Sequence, residues 1–230
     1  PSRGLGDVYK RQDISSLLNN PIDFKKVKPD NKNFLFGRYF HQLILEPDKA
    51  FDWEFVDASS RTTKLYKETI AMREVDVMLL EKEKELAQQL KETMLRNFDF
   101  AMPIYKTGNK FEEPAVKKIK GVMWKGKADI VNHDEKLIID LKTTAELDKF
   151  HWSAKKYNYD SQAYIYRELF GYEFVFIVID KTTHNIGIFD CSPSFYERGA
   201  DKVQRASEQY KLFYQSEDFD PQQFFINQTL

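Results

Sequence analysis

Two carboxylates and a lysine lie close together in a stretch with the character of a β-hairpin, "KADIVNHDEKLIIDLKTT" at residues 127–144. Asp129 precedes a polar turn, and Asp140 and Lys142 follow it with one leucine between them. Charged groups are costly to bury unless they are paired or bind a metal ion. Carboxylate oxygens suit Mg²⁺ or Mn²⁺, and a nearby ammonium can stabilise negative charge that develops on a phosphate. These residue types therefore indicate metal-assisted chemistry on a phosphate ester.

The hairpin has to bring these groups together for such chemistry. A two-residue turn at residues 133–134 would pair residue 129 with residue 138. Asp129, Asp140 and Lys142 would then share one face, because side chains alternate along a strand. The two aspartates would be diagonal neighbours with backbones about 7–8 Å apart. The alternative is a hairpin that carries surface salt bridges, and a bare Asp-x-Lys tripeptide fits it well.

Three further spacings accompany the hairpin. "GKAD" places Gly126 three residues before the first aspartate, and "GRYFH" places Gly37 four residues before His41. "QAYIY" places Gln162 four residues before Tyr166. Residues four apart lie on one face of a helix, so each helical pair can address one site. Each pair alone is more often ordinary packing, and it is their joint order along the chain that favours a functional site.

The elements that would position these residues follow from hydrophobic periodicity and from turn residues. Helices are predicted at 13–20, 33–47, 146–157, 159–170 and 192–215, with a long charged helical region at about 63–97. Strands are predicted at 112–120, 121–131, 136–143, 172–180 and 184–191. This order predicts a single α/β domain over 13–230, with a helical N-terminal part (13–100) and a core (101–215). Residues 1–12 lack a starting methionine and are interpreted as a non-native or truncated leader.

Composition excludes several classes of protein. The 230 residues carry a formal net charge of −1, so any DNA contact needs a local basic patch. Cys191 is the single cysteine, which excludes an internal disulfide framework and any cysteine-based zinc or iron–sulfur site. The longest apolar stretch, "FVFIVI" at 174–179, is too short to cross a bilayer.

Taken in order, the spacings G-x-x-x-H, G-x-x-D, (D/E)-x-K and Q-x-x-x-Y resemble the motifs of the PD-(D/E)XK nucleases. They are most similar to the branch of the exonuclease VIII (RecE) and RecB nuclease domains. "GRYFHQLILEP" and "IIDLKTT" are especially similar to the exonuclease VIII type of phages and prophages. The resemblance spans roughly 33–190. It departs at Asp140, where RecB-like members usually have Glu.

The resemblance implies an α/β fold with a restriction-endonuclease-like core, a mixed central sheet flanked by helices in the order αβββαβ. It also implies one or two Mg²⁺ or Mn²⁺ ions, with these ligands: His41, Asp129, Asp140 and the carbonyl of Leu141. Lys142 would orient or activate the attacking water. Gln162 and Tyr166 would line the site and position the scissile strand. An acid before the hairpin, Glu112 or Glu113, matches the family pattern weakly and stays outside the predicted site.

Contacts to DNA are predicted from the strands that precede the aspartates. Five lysines cluster there: Lys117, Lys118, Lys120, Lys125 and Lys127. They would give salt-sensitive contacts to phosphates, or equally they would protect an exposed strand edge. Trp124 and Trp152 could stack on unpaired bases, with packing as the simpler role for both.

These features predict a metal-dependent deoxyribonuclease, an exonuclease that hydrolyses linear double-stranded DNA in recombination or repair. The alternatives are a structure-specific or restriction-type endonuclease and a catalytically silent DNA-binding module. The resemblance implies a single-strand annealing protein and further copies of the chain as partners. The single cysteine and the lack of a signal-like N-terminal stretch favour the cytoplasm of a bacterial cell, with a phage as a possible source.

Overall fold

β-branched and aromatic residues dominate the strands that build the centre of the molecule. The computed structural model describes residues 8–9, 13–24, 26 and 29–220. Eight strands lie within them: β1 (Val8–Tyr9), β2 (Phe55–Val56), β3 (Leu79–Leu80), β4 (Asn109–Ile119), β5 (Val122–Asn132), β6 (Leu137–Thr144), β7 (Glu173–Asp180) and β8 (Ile186–Asp190). β2 and β3 pair in parallel with each other, and the other six strands form one sheet.

The six-stranded sheet is mixed. Its order is β1-β5-β6-β7-β8, and β4 pairs with β5 as an antiparallel hairpin. β5 is antiparallel to β6, β6 is parallel to β7, and β7 is antiparallel to β8. The parallel pair needs a crossover connection, which two helices supply between β6 and β7.

Nine α-helices lie in the described residues: α1 (Asp13–Asn19), α2 (Lys32–Leu45), α3 (Pro47–Ala50), α4 (Lys64–Met72), α5 (Glu81–Arg96), α6 (Phe98–Ile104), α7 (Phe150–Lys156), α8 (Tyr159–Phe170) and α9 (Pro193–Tyr214). α2 begins where Asn31 accepts a hydrogen bond from the backbone N–H of Phe34. α8 is followed by Gly171, whose φ of 77° favours glycine and ends the helix. None of these helices combines the length and the apolar character that a membrane crossing requires.

Helices cover both faces of the sheet. Ile138, Phe174 and Phe176 pack in one apolar cluster with residues of α1, α8 and α9. Ile139 and Leu141 pack in a second cluster with residues of α2, α5 and α6. Because side chains alternate along β6 and β7, the two clusters lie on opposite faces, and the fold is an α/β/α sandwich. The predicted α/β core with helices around a mixed sheet is confirmed.

The turn between β5 and β6 corrects the predicted hairpin. It spans residues 133–136, and the observed register pairs Ile130 with Ile139 and Val131 with Ile138. The longer turn forms because the Asn132 side chain accepts a hydrogen bond from the backbone N–H of Glu135. The predicted pairing of 129 with 138 was therefore wrong by two residues. A shift of two residues, unlike a shift of one, leaves each side chain on its face of the strand.

Two other elements differ from the predictions. The charged region at 63–97 is not one helical stretch: α4 ends at Met72, and β3 precedes α5. The helix predicted at 146–157 begins only at Phe150.

The first strand lies within the residues interpreted as a leader. Val8–Tyr9 pairs with Met123–Trp124 of β5, so the fold includes two residues of the predicted leader. The rest of 1–12 lies outside the described residues.

Candidate active site

Asp129 lies where β5 and β6 cease to pair. The ladder between the two strands covers three residue pairs and ends at Ile130 and Ile139. Just beyond it, the Asp129 carboxylate accepts a hydrogen bond of 2.8 Å from the backbone N–H of Leu141. The side chain thus takes over a bond that a regular ladder would give to a carbonyl. This contact fixes a buried carboxylate in the gap between two strands.

His41 approaches this carboxylate from α2, on one face of the sheet. Its Nε2 lies 2.6 Å from the carbonyl oxygen of Leu141, and its Nδ1 lies 3.4 Å from Oδ2 of Asp129. Burial lowers the pKa of His41, but the charge and hydrogen bond of Asp129 outweigh burial, and the net pKa is raised. The pKa of Asp129 is lowered, since the His41 and Lys142 charges outweigh its burial.

Glu112 is the third member of the cluster and lies outside the predicted site. The β4–β5 pairs on either side, Phe111 with Ile130 and Glu113 with Ala128, place Glu112 opposite Asp129. Its backbone has a φ of 54°, a left-handed conformation that is unusual for a residue in a strand. The signal that would have found it is the register of β4 on β5, which the sequence motifs alone do not give.

Together these three side chains form a candidate metal centre. One ligand atom each from His41, Glu112 and Asp129 lies within 4.8 Å of the others. Burial raises the pKa of Glu112, and the neighbouring Asp129 charge raises it further against the lowering effect of Lys127. An imidazole nitrogen and carboxylate oxygens form a donor set suited to Mn²⁺ or Mg²⁺. A divalent cation would also relieve the repulsion between the two acids, so the residues present fit such an ion.

Asp140 contacts the opposite helical layer. Its carboxylate is buried, pairs with the Lys142 ammonium and accepts a hydrogen bond from Nε2 of Gln162 on α8. Burial raises the pKa of Asp140, and the nearby Asp129 charge adds to the increase, while Lys142 opposes it. The two aspartates contact different helices, Asp129 with α2 and Asp140 with α8, and the charge of Asp129 still acts on Asp140. The observed register, continued past the end of the ladder, sets residue 129 opposite residue 140, whereas the predicted register made them diagonal neighbours.

Gln162 and Tyr166 both face the hairpin, but only Gln162 touches an aspartate. The Tyr166 hydroxyl donates to the carbonyl of Lys127 at 3.0 Å and accepts from its N–H at 3.2 Å. Gly126 makes this approach possible, because a Cβ there would lie 3.0 Å from Cζ of Tyr166. Tyr166 thus holds the β5 backbone two residues before Asp129. Its contact with the scissile strand stays a prediction.

The comparison with protein families identifies the fold. The profile described as a PDDEXK-like domain of unknown function (DUF3799) matches residues 21–223. The chain belongs to this PDDEXK-like family. The recognition of a PD-(D/E)XK domain from the four motifs is confirmed, and the chain carries a nuclease-like fold. A search of curated proteins found no match.

One solved structure supports the PDDEXK-like fold. A presumed exonuclease from Eubacterium rectale superposes with a TM-score of 0.64 at 14% identity, covering 89% of this chain and 80% of the other. At this identity the likeness shows the fold alone. A phage-related exonuclease from Haemophilus somnus 129PT gives a TM-score of 0.35 at 15% identity, covering 67% of this chain and 88% of the other.

The lysines and tryptophans predicted to contact DNA have different environments in this PDDEXK-like domain. Lys127 pairs with Glu112, and Lys117 donates to the carbonyl of Glu168. Lys118 and Lys120 are exposed on the same hairpin, and Lys125 is partly buried. Trp124 is fully buried, so the suggestion that it stacks on bases was wrong. Trp152 is 62% exposed.

Proposed function

We propose that the chain is a divalent-metal-dependent deoxyribonuclease that hydrolyses phosphodiester bonds. The observation that carries this proposal is the convergence of His41, Glu112 and Asp129 beside the Asp140–Lys142 pair, within a PDDEXK-like domain. A protein that only binds DNA has no need of buried acids held next to a lysine, because burying charged groups costs stability even where they are paired.

The residues of the site divide into ligands and positioning groups. His41, Glu112 and Asp129, with Asp140 and the carbonyl of Leu141 beside them, would hold one or two Mg²⁺ or Mn²⁺ ions. Such an ion polarises a phosphoryl oxygen and lowers the pKa of bound water. Lys142 would place its charge next to the water and the scissile phosphate, where negative charge develops. Gln162 orients Asp140 through its hydrogen bond.

We further propose that cleavage proceeds from the ends of linear duplex DNA. The description of the Eubacterium rectale structure as a presumed exonuclease supports this preference, together with the motifs that resemble exonuclease VIII. α9 follows the core, and its residues Val203, Ala206 and Tyr210 are buried in the first apolar cluster. This face of the helix packs on the core and is therefore not available to reach base edges, as a site-specific endonuclease would require.

One assay distinguishes these possibilities. End-labelled linear duplex and covalently closed circular DNA are incubated with the protein in Mg²⁺ and, separately, in EDTA. We expect the linear DNA to be degraded in Mg²⁺ only, while the closed circles survive. Asp140→Asn serves as the inactive control. Cutting of closed circles at discrete positions would replace the exonuclease proposal by the endonuclease alternative, and inactivity on both substrates would refute the nuclease.

Activity on DNA ends would suit recombination or repair in the cytoplasm of a bacterial cell or of one infected by a phage. The resemblance to exonuclease VIII supports two further proposals, a partner that anneals single strands and association with further copies of the chain. Light scattering after size-exclusion chromatography, with and without a DNA duplex, measures the association of the chain with further copies of itself. A monomer under both conditions would contradict association.

A further inference from the structure

The outer face of α7 and the residue that follows the helix, Tyr157, carry aromatic and basic side chains that the proposed chemistry does not use. His151, Lys155 and Lys156 are exposed, and Trp152 and Tyr157 are 62% and 54% exposed. Trp152 and Lys156 are four residues apart on the helix, so they lie on one face. We name this surface, His151, Trp152, Lys155, Lys156 and Tyr157, the α7 platform.

The platform has a rigid base. Phe150 and Ala154 form the opposite face of α7 and are buried in the first apolar cluster. The Phe150 ring lies 5.8 Å from the Phe176 ring of β7 and 4.7 Å from the Phe189 ring of β8. The exposed aromatic residues are thus held out by a helix that the sheet anchors. Exposed aromatic residues on a fixed helix suit a binding surface better than a mobile loop would.

The platform is continuous with the candidate active site. The ring centroids of Tyr157 and Tyr159 are 6.0 Å apart. The Lys142 ammonium lies 5.2 Å from the Tyr159 ring, and it pairs with Asp140. Tyr159, Gln162 and Tyr166 follow helical spacing on α8, so one face of α8 connects the platform with the acids. A strand lying on the platform would lead directly to Lys142.

The charges of the platform suit a polyanion. Within the described residues, neither Lys155 nor Lys156 forms an ion pair with a carboxylate, and the Lys156 ammonium lies 5.5 Å from the Tyr157 ring. The acids of this segment, Glu146 and Asp148, lie before the helix, and Glu146 is paired with Lys149. Positive charge is therefore concentrated at the end of α7 that adjoins Tyr157.

We propose that the α7 platform binds unpaired nucleotides of single-stranded DNA and guides that strand to Lys142. Aromatic rings beside ammonium groups are the features with which proteins hold single strands, since bases stack on the rings and phosphates contact the cations. Paired bases inside a duplex do not offer these faces. The inference rests on the proposed nuclease function and adds its substrate class, a DNA end with a single-stranded segment.

Binding without cleavage tests the platform. Fluorescence anisotropy with a labelled oligothymidylate and a labelled blunt-ended hairpin duplex is measured in EDTA. We expect Trp152→Ala/Tyr157→Ala to weaken binding of oligothymidylate roughly tenfold or more, and binding of the duplex by less than about twofold. Lys155→Ala/Lys156→Ala, which changes only exposed side chains, should weaken binding of oligothymidylate in a salt-dependent way.

Matched controls remove an exposed aromatic residue and two exposed lysines at positions outside the α7 platform. Phe98→Ala removes a 71% exposed aromatic residue from α6, and Lys64→Ala/Lys67→Ala removes two exposed charges from α4. Neither should alter binding of oligothymidylate. A second readout is tryptophan emission: oligothymidylate should quench it in the wild type, and the quenching should fall in Trp152→Phe. Melting curves establish that the variants are folded.

The outcomes separate the two proposals. If the platform variants bind oligothymidylate as the wild type does while the wild type degrades DNA, the platform is refuted and the nuclease stands. If the variants lose binding while the wild type cleaves no DNA with any divalent ion, the platform stands and the nuclease is refuted. Equal losses for oligothymidylate and the duplex would also refute a surface for unpaired nucleotides.

Discussion

At the scale of single residues, Lys142 has the Asp140 carboxylate on one side and the rings of Tyr159 and Phe176 on the other. Its ammonium is thereby held in a fixed position. A fixed charge next to a reacting phosphate contributes most when negative charge develops, and less to ground-state binding. The role of Lys142 should therefore be visible in turnover.

We predict that Lys142→Ala lowers the turnover number by about a hundredfold or more and leaves DNA affinity nearly unchanged. Single-turnover rates and anisotropy in EDTA measure the two quantities separately. Lys149→Ala is the matched control, because Lys149 is exposed and pairs with Glu146 outside the site. A near-normal rate for Lys142→Ala would show that its pairing with Asp140 is structural only.

Cys191 gives a second prediction at this scale. Burial raises the pKa of its thiol to about 12. The thiolate is the reactive form, so at pH 8 the folded protein should be alkylated roughly a thousandfold more slowly than the unfolded chain. Labelling with iodoacetamide, followed by mass spectrometry, measures both rates, and Cys191→Ser defines the background. Rapid labelling of the folded protein would contradict the burial of this thiol.

At the scale of elements, the contact between α8 and the β4–β5 hairpin fixes the position of the site. Tyr166 bonds to the backbone of Lys127 over a glycine, and Gln162, one turn earlier, bonds to Asp140. One helix thus positions β5 and β6 relative to each other where their own ladder has ended. Loss of this close approach should affect stability and site geometry together.

We predict opposite effects for the two glycines of the motifs. Gly126→Ala would place a Cβ 2.9 Å from Leu169 Cδ1 and 3.0 Å from Tyr166 Cζ, so the free energy of unfolding should fall by about 1–3 kcal/mol. A Cβ at Gly37, within α2, would meet no atom within 4 Å. The better helix propensity of alanine should therefore make Gly37→Ala raise the free energy of unfolding by roughly 1 kcal/mol. Urea unfolding measures both. Equal effects would show that Gly126 has no packing role.

At the scale of the whole molecule, the site joins three layers. α2 supplies His41, the sheet supplies Glu112, Asp129 and Asp140, and α8 supplies Gln162. A ligand that binds here therefore binds only the folded arrangement, because the unfolded chain separates His41 from Asp129 by 88 residues, counted from their numbers. Ligands that bind only the folded state stabilise it by mass action.

We predict that Mn²⁺ raises the melting temperature of the wild type. At a free concentration about a hundred times the dissociation constant, the stabilisation should reach about 2.7 kcal/mol. Asp129→Asn keeps a side-chain oxygen for the Leu141 N–H but loses a charged ligand, so the Mn²⁺-dependent increment should largely disappear. Asp148 is an exposed acid outside the site, so Asp148→Asn should retain the Mn²⁺-dependent increase in melting temperature. An equal increment in Asp129→Asn would exclude Asp129 as a ligand.

The sequence by itself determined the local features of this protein. The apolar run "FVFIVI" is typical of a strand covered on both faces, and the alternation of "IIDLKTT" indicates a strand that carries its charged side chains on one face. The bounds of β6, β7 and α8 differ from the predicted ranges by at most a residue. The proximity of Asp140 and Lys142, and of Gln162 and Tyr166, is likewise a matter of short spacings within single elements.

Only the tertiary structure decided which groups meet across elements. Glu112 stands opposite Asp129 through the register of β4 on β5, and the Asn132 side chain lengthened the turn that sets β6 against β5. The burial of Trp124 and the exposure of Trp152 have the same origin, since the same residue type packs or faces solvent according to its neighbours. Spacing in a sequence constrains residues within one helix or strand. Register and layer packing, which depend on contacts distant in the chain, determine the assembled site.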